Sequence, residues 1–126
     1  MTFETYFNVH LVSDSTGETL NAVMRAAVAQ FDNIAPLEHN YYLVRSPKQL
    51  ERVLMEIENA PGVVLYTITD EGLRARLEAR CRELGSPTLP VIDSAVNMLS
   101  RYLGLKSAHK VAGQYHLDAE YFARIE

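Results

Sequence analysis

Along this chain the apolar residues alternate between the two-residue period of a strand and the about 3.6-residue period of a helix. Phe7, Val9 and Leu11 alternate with Asn8, His10 and Val12, which predicts a strand. From Leu20 the spacing becomes helical through Val23, Met24, Ala27, Val28 and Phe31. The stretch Phe31 to Pro36 breaks the pattern, and a second strand is predicted over Glu38 to Val44. Ser46-Pro47 has the signature of an N-cap followed by proline at the first helical position, with Leu50, Val53, Leu54 and Ile57 as the buried stripe. Ala60-Pro61-Gly62 ends that helix, and the apolar run Val63 to Ile68 predicts a central strand covered on both faces. A third helix is predicted from Asp70 to Leu84, stopped by Gly85-Ser86-Pro87. A short strand, Thr88 to Ile92, follows, and Pro90 makes it an edge or irregular strand. A fourth helix begins at Asp93 or Ser94 and carries Val96, Leu99 and Leu103 before Gly104.

Strand and helix therefore alternate throughout, which predicts an α/β fold with a parallel four-stranded sheet and helices on both faces. Right-handed crossovers with short connections give the strand order 2-1-3-4, a flavodoxin-like arrangement. Residues 1–104 form this domain. Residues 105–126 read as a linker and the start of a further helix, capped by Asp118, with Tyr121, Phe122 and Ile125 as an apolar stripe that breaks off in mid-pattern. Such a stripe needs a surface, supplied by a missing C-terminal half or by a second copy. A homodimer is expected, through this segment or through the Val96, Leu99, Leu103 helix with Tyr102 beside it.

In such a sheet the carboxyl ends of the strands open onto one rim, and ligands favour the crevice where chain direction reverses, here between the first and third strands. The segment Ser13-Asp14-Ser15-Thr16-Gly17-Glu18-Thr19 lies there, joining a strand to a helix. A helix start offers amides without internal partners and a dipole that favours negative charge, so Asp14, Ser15, Thr16, Gly17 and Thr19 are anion-binding candidates. The competing reading is a plain cap, with Asp14, Ser15 or Thr16 satisfying the helix and Glu18 or Thr19 completing the local bonds. Arg45, at the end of the second strand, would add a bidentate charge to the anion or would pair with Asp14 or another carboxylate. Asp14 itself has three readings: a general base, the holder of a metal-bound water, or a cap. Ser46, Thr69, Asp70, Asp93 and Ser94 fall on the same rim.

The remaining chemistry narrows the function. A net charge of −4 and a pI near 5.5 give no basic field for nucleic acid. No apolar segment is long enough for a bilayer and the first residues lack an export signal, so a cytoplasmic location is expected. The lone Cys81 shares a helical stripe with Leu73, Leu77 and Leu84 and is expected in the core. Arg74, Arg76, Arg80 and Arg82 interleave with Glu71, Glu78 and Glu83, which predicts a salt-bridged face with pairs such as Glu78–Arg82. His10, His39, His109 and His116 show no metal-binding spacing. Neither G-x-x-x-x-G-K-[ST] nor G-x-G-x-x-G occurs, so the chain has no standard glycine-rich nucleotide loop.

Five segments, taken in order, resemble the regulatory proteins of pyruvate, phosphate dikinase and phosphoenolpyruvate synthase. They are His10 to Leu20, Glu38-His39 through Leu43-Val44-Arg45-Ser46, Lys48 to Leu54, Ala60 to Tyr66, and Leu117 to Ile125. The resemblance implies a bifunctional enzyme that uses ADP to phosphorylate a threonine beside the catalytic histidine of its target. It also implies removal of that phosphate with inorganic phosphate, releasing pyrophosphate. Members of the family are longer, and their phosphate-binding loop, a Gly-x-Ser-Arg-Thr-Ser-Lys-Thr-Pro-like segment, belongs to the part that would follow Glu126. The resemblance thus implies an amino-terminal domain serving dimerisation, target docking or anion binding, with no catalytic residue or cofactor of its own and no activity alone. Tyr115 departs from the family pattern, in which His stands in a Gln-His pair; His116 comes one residue later. The competing reading is a flavodoxin-like module for a flavin or small phosphate compound, although Thr67 to Gly72 and Asp93 to Ala95 carry no aromatic to flank a flavin. A purely structural dimerisation domain is the third.

Overall fold

The computed structural model describes residues 4–108. Its elements alternate as β1 (Thr5–Ser13), α1 (Glu18–Val28), β2 (Ile34–Tyr41), α2 (Pro47–Asn59), β3 (Gly62–Thr67), α3 (Glu71–Leu84), β4 (Thr88–Pro90) and α4 (Asp93–Leu103). All strand pairs are parallel, and the sheet order is β2-β1-β3-β4, as the sequence predicts. His109, Tyr115, His116 and the helix expected from Asp118, with Tyr121, Phe122 and Ile125, lie outside the described residues.

The alternation of side chains along the strands divides the core into two layers. Val9, Leu11 and Leu65 face α1, where they pack with Leu20 and Met24. Val12, Val64 and Tyr66 face α2 and α3, packing with Leu50, Val53, Leu54, Ile57, Leu73, Leu77 and Cys81. Each fully buried aliphatic side chain contributes about 1.5–3 kcal/mol, and β1 supplies such residues to both layers. Cys81 is fully buried, and burial raises its thiol pKa, which fits the expected core role. The helix α4 differs. Of its expected stripe only Val96 is half-buried, while Met98, Leu99, Tyr102 and Leu103 are exposed.

Two strands, β2 and β4, depart from the expected boundaries. β2 begins earlier, at Ile34, and ends earlier, at Tyr41. Pro36 is tolerated within it because β2 is an edge strand, where one row of backbone donors has no ladder partner to lose. The turn before it contains Asn33 at φ 62, a left-handed conformation that asparagine accepts more readily than most residues. Beyond Tyr41 the chain still bonds to β1, with Leu43 N donating to Ser15 O and Val44 N to Ser13 O. Leu43, however, takes φ 57, which breaks the extended run. β4 stops at Pro90 rather than Ile92, and Ile92 becomes the residue before α4.

The salt-bridged face exists with different partners. Arg76 pairs with Glu51 on α2 at 2.8 Å, and Arg80 with Glu83 at 2.8 Å and Glu58 at 3.3 Å. Arg74 pairs with Asp93 and lies over the Tyr66 ring, 5.5 Å from its centroid. Glu78 accepts from the buried Tyr66 hydroxyl instead of pairing with Arg82, because a buried phenol requires an acceptor and Glu78 reaches it from the adjacent helix. Burial and this carboxylate push the Tyr66 pKa up to about 12.

His10 is fully buried on the α2 side of β1, a position its spacing in the sequence did not reveal. Its Nε2 lies 2.7 Å from the Ala60 carbonyl, which only accepts, so Nε2 carries the hydrogen. Nδ1 of the neutral ring then accepts from the Tyr41 hydroxyl at 2.9 Å. His39, its register partner on β2, stacks on it at 4.7 Å and bonds Asn8 Oδ1, while Asn8 Nδ2 donates to Pro61 O. Two strands thereby grip the α2–β3 turn. Burial lowers the His10 pKa, and His39 adds to the effect against the opposing pull of the Ala60 bond and Glu56. The unfolded ring, near 6.5, takes a proton more readily than the folded one, so stability is complete above that pH and falls as the pH drops below it. Denaturant titrations from pH 8 to pH 5 should show this loss. His10→Gln should remove that part of the slope and cost about 1–3 kcal/mol at pH 8 through the disturbed buried hydrogen bonds.

Candidate functional site

The rim at the carboxyl ends of β1 and β3 is assembled by a chain of hydrogen bonds. Asp14 N donates to Thr67 O at 3.0 Å, continuing the β1–β3 ladder past its last pair. The Asp14 carboxylate then turns across to the loop after β3, where Oδ2 accepts from Thr69 N at 3.0 Å and from Thr69 Oγ1 at 3.1 Å. Beneath it, Ser13 Oγ accepts from Ser15 N at 2.9 Å and Thr67 Oγ1 at 3.2 Å. Arg45 reaches the same loop from the end of β2, its Nε donating to Asp14 O at 2.8 Å. The structure thus brings Asp14, Ser15 and Arg45 together with Ser13, Thr67 and Thr69.

The capping reading does not hold for Asp14 or Ser15. The N-cap position of α1 is Gly17 at φ 83, which has no side chain to cap with. The Asp14 carboxylate does not cap it, since Oδ2 is held by Thr69 and Oδ1 meets no donor, and Ser15 is buried with its backbone engaged on both sides. The first intrahelical bond runs from Asn21 N to Gly17 O. The amides of Glu18, Thr19 and Leu20 precede it, at the positive end of the helix dipole. Glycine is required at 17 twice over: φ is left-handed, and an added Cβ would lie 2.2 Å from Tyr42 Cε1. Tyr42 is a rim residue that sequence reasoning missed. Its proximity to Gly17 depends on the left-handed turn at Leu43, which no periodicity announces.

Asp14, Ser15 and Gly17 are buried, Thr19 is half-buried, and Thr16 and Arg45 are exposed. Arg45 makes neither ion pair expected as its alternative, since it bonds the Asp14 carbonyl rather than a carboxylate. Its two terminal nitrogens have no protein partner among the described residues, and the residue lines a groove of about 450 Å³ between the starts of α2 and α3. The groove also meets Glu51, Asp70 and Arg76, and both helices are capped there by side chains, Ser46 for α2 and Asp70 for α3. Among the rim helices α1, α2 and α3, α1 alone has an N-cap residue that makes no side-chain cap.

One carboxylate oxygen stands apart. Asp14 is only 4% exposed, and its Oδ1 is buried with no hydrogen-bond partner. Among the described residues no group of three or more His, Cys, Asp and Glu side chains is placed to hold a metal ion. Nor is any helix among them long and apolar enough to cross a membrane.

The model of the kinase/pyrophosphorylase family matches residues 9–126. A protein of Hyphomonas neptunium is 69% identical over 121 residues, covering 96% of this chain and 43% of the relative. A Maricaulis maris protein is 55% identical over 125 residues, covering 99% and 45%. A Caulobacter vibrioides protein is 55% identical over 124 residues, covering 98% and 39%. All three are provisionally named as pyruvate, phosphate dikinase regulatory proteins. The chain spans less than half the length of these relatives.

Gly17→Ala should destabilise the domain by about 1–3 kcal/mol from the left-handed backbone alone, with the Tyr42 clash in addition. Thermal melts of Gly17→Ala, Tyr42→Ala and the double variant check this. The double variant should recover the steric part and retain the backbone part.

Proposed function

The chain belongs to the kinase/pyrophosphorylase family, and from that premise we propose that it is the α/β domain, residues 1–104, of a bifunctional regulator of pyruvate, phosphate dikinase or phosphoenolpyruvate synthase. The full-length regulator phosphorylates a target threonine with ADP and removes that phosphate with inorganic phosphate, releasing pyrophosphate. Within it this domain docks the target, contributes to a homodimer and holds an anion at its rim. The reading places the protein in the cytoplasm, where that target works.

The observation that carries the anion site is the glycine N-cap of α1 at Gly17, with Arg45 tied to the same loop. Backbone amides from Glu18 onward would meet phosphate oxygens, with the Thr16 and Thr19 hydroxyls beside them, and Arg45 would supply charge through its two terminal nitrogens. The standard glycine-rich phosphate loops are absent from the sequence, so this chain binds without transferring. A flavin module is the weaker reading: the loops after β3 and β4 lack aromatics, and Tyr42 already packs over Gly17.

Calorimetric titration with phosphate, pyrophosphate and ADP should show binding of at least one, weakened about tenfold or more by Arg45→Ala. The amide spectrum should be otherwise unchanged, because Arg45 is exposed and its fold contact is to one carbonyl. Unaltered titration curves would remove Arg45 from the site. Incubation of this chain with ADP and dikinase should give no phosphothreonine; labelled target would refute the division of labour.

A further inference from the structure

We propose that Asp14 is a ligand for a divalent cation of the magnesium or manganese class, bound together with a phosphate at the rim. The proposal rests on the anion site above, and it explains what that site leaves unexplained. Asp14 is fixed at three atoms: its N by Thr67 O, its O by Arg45 Nε, and its Oδ2 by both donors of Thr69. Only Oδ1 is left without a partner, and it is buried.

A buried carboxylate oxygen calls for a donor or a cation, and leaving it bare costs free energy. The protein provides neither here. Among the described residues Asp14 forms no ion pair, and the nearby arginine spends its Nε on the carbonyl. The carboxylate also lies in the loop that leads to the first amides of α1, where its charge repels the phosphate those amides favour. A divalent cation resolves both conflicts, accepting Oδ1 on one side and phosphate oxygens on the other.

The class of metal follows from the donor. A lone carboxylate oxygen is a hard ligand, suited to magnesium or manganese rather than to zinc or copper. Magnesium in particular is often held by one or two carboxylates plus substrate phosphates. Because no set of three acidic, histidine or cysteine ligands surrounds the position among the described residues, the protein alone fills too little of the coordination shell. Cation and phosphate must therefore bind together. Oδ1 is out of contact with solvent, so their entry involves a local shift of the Asp14 to Gly17 segment.

The experiment uses this chain with manganese and inorganic pyrophosphate as probes, read by calorimetry and by paramagnetic broadening of backbone amide signals. Pyrophosphate affinity should rise at least tenfold on replacing a chelator with excess manganese, with broadening centred on Asp14, Ser15 and Thr69. Manganese without pyrophosphate should broaden no signal selectively at the rim. Asp14→Asn should abolish the manganese dependence and bind free pyrophosphate at least as well as the parent does in chelator. Thr69→Ala keeps the carboxylate and should retain the manganese dependence; it serves where Asp14→Asn does not fold. Pyrophosphate binding that is equal with chelator and with manganese overturns the cation site and leaves the anion site standing. Broadening centred away from the rim overturns it also. Absence of pyrophosphate binding under both conditions overturns the anion site and the cation with it.

Discussion

The pairing of β1 with a neighbour on each edge is the constraint on which this structure depends. β1 is the only strand that lies between β2 and β3, and it contributes Val9 and Leu11 to one helical layer and Val12 to the other. Its fit against β3 is close: a Cβ on Gly62 would stand 2.1 Å from the Asn8 carbonyl oxygen, so the strand entry tolerates glycine alone. Once that pairing is set, both ends of β1 acquire polar side chains with fixed partners. At the amino end Asn8 and His10 hold the Ala60–Pro61 turn. At the carboxyl end Asp14 holds Thr69. The two ends of one strand thus locate the loops on opposite sides of the sheet.

The polar groups at the two ends behave differently, and the difference separates structure from function. At the amino end every atom of the His10 ring that can bond does so, and the neighbouring histidine and asparagine extend the network. A satisfied network of this kind rigidifies a core. At the carboxyl end the network is satisfied except at one oxygen. A fold that has arranged five hydrogen bonds among Ser13, Asp14, Ser15, Thr67 and Thr69 has also left one acceptor unpartnered and a glycine at the N-cap of a helix in the same short segment. Evolution of stability alone favours closing both, as the Ser46 hydroxyl and the Asp70 carboxylate close the starts of α2 and α3.

Most of the architecture was legible because periodicity and punctuation agree. Ser46-Pro47 announced α2, the run after Gly62 announced a two-faced strand, and Gly85 stopped α3 in the left-handed conformation that glycine accepts. What escaped depends on contacts between segments distant in sequence. The start of β2 was hidden by Pro36, whose tolerance is a property of edge position. Its end was hidden by Leu43, whose left-handed φ is imposed by backbone bonds to Ser13 and Ser15. The rim was legible as a location, since topology places loops one to four there. The roles were not: Asp14 was read as a cap among other things, yet its partner is Thr69, and His10 offered no motif although it is buried with both ring nitrogens bonded. Short-range pattern carries no information on which of several nearby donors a carboxylate will choose.

On the proposed function, the least buried element bears on how this domain would meet further polypeptide. α4 has no fully buried residue, and its link to the rest of the domain includes the Arg74–Asp93 pair and the half-buried Val96. Exposed Met98, Leu99, Tyr102 and Leu103 give it an apolar outer face of the kind that ordinary monomeric surfaces keep small. On the proposed division of labour this is no defect. A domain that holds an anion while other polypeptide transfers it needs a rigid rim and an adaptable flank. The two-layer core, centred on β1, gives the first, and α4, lying beyond the edge strand β4 in chain order, is the element whose displacement disturbs that core least.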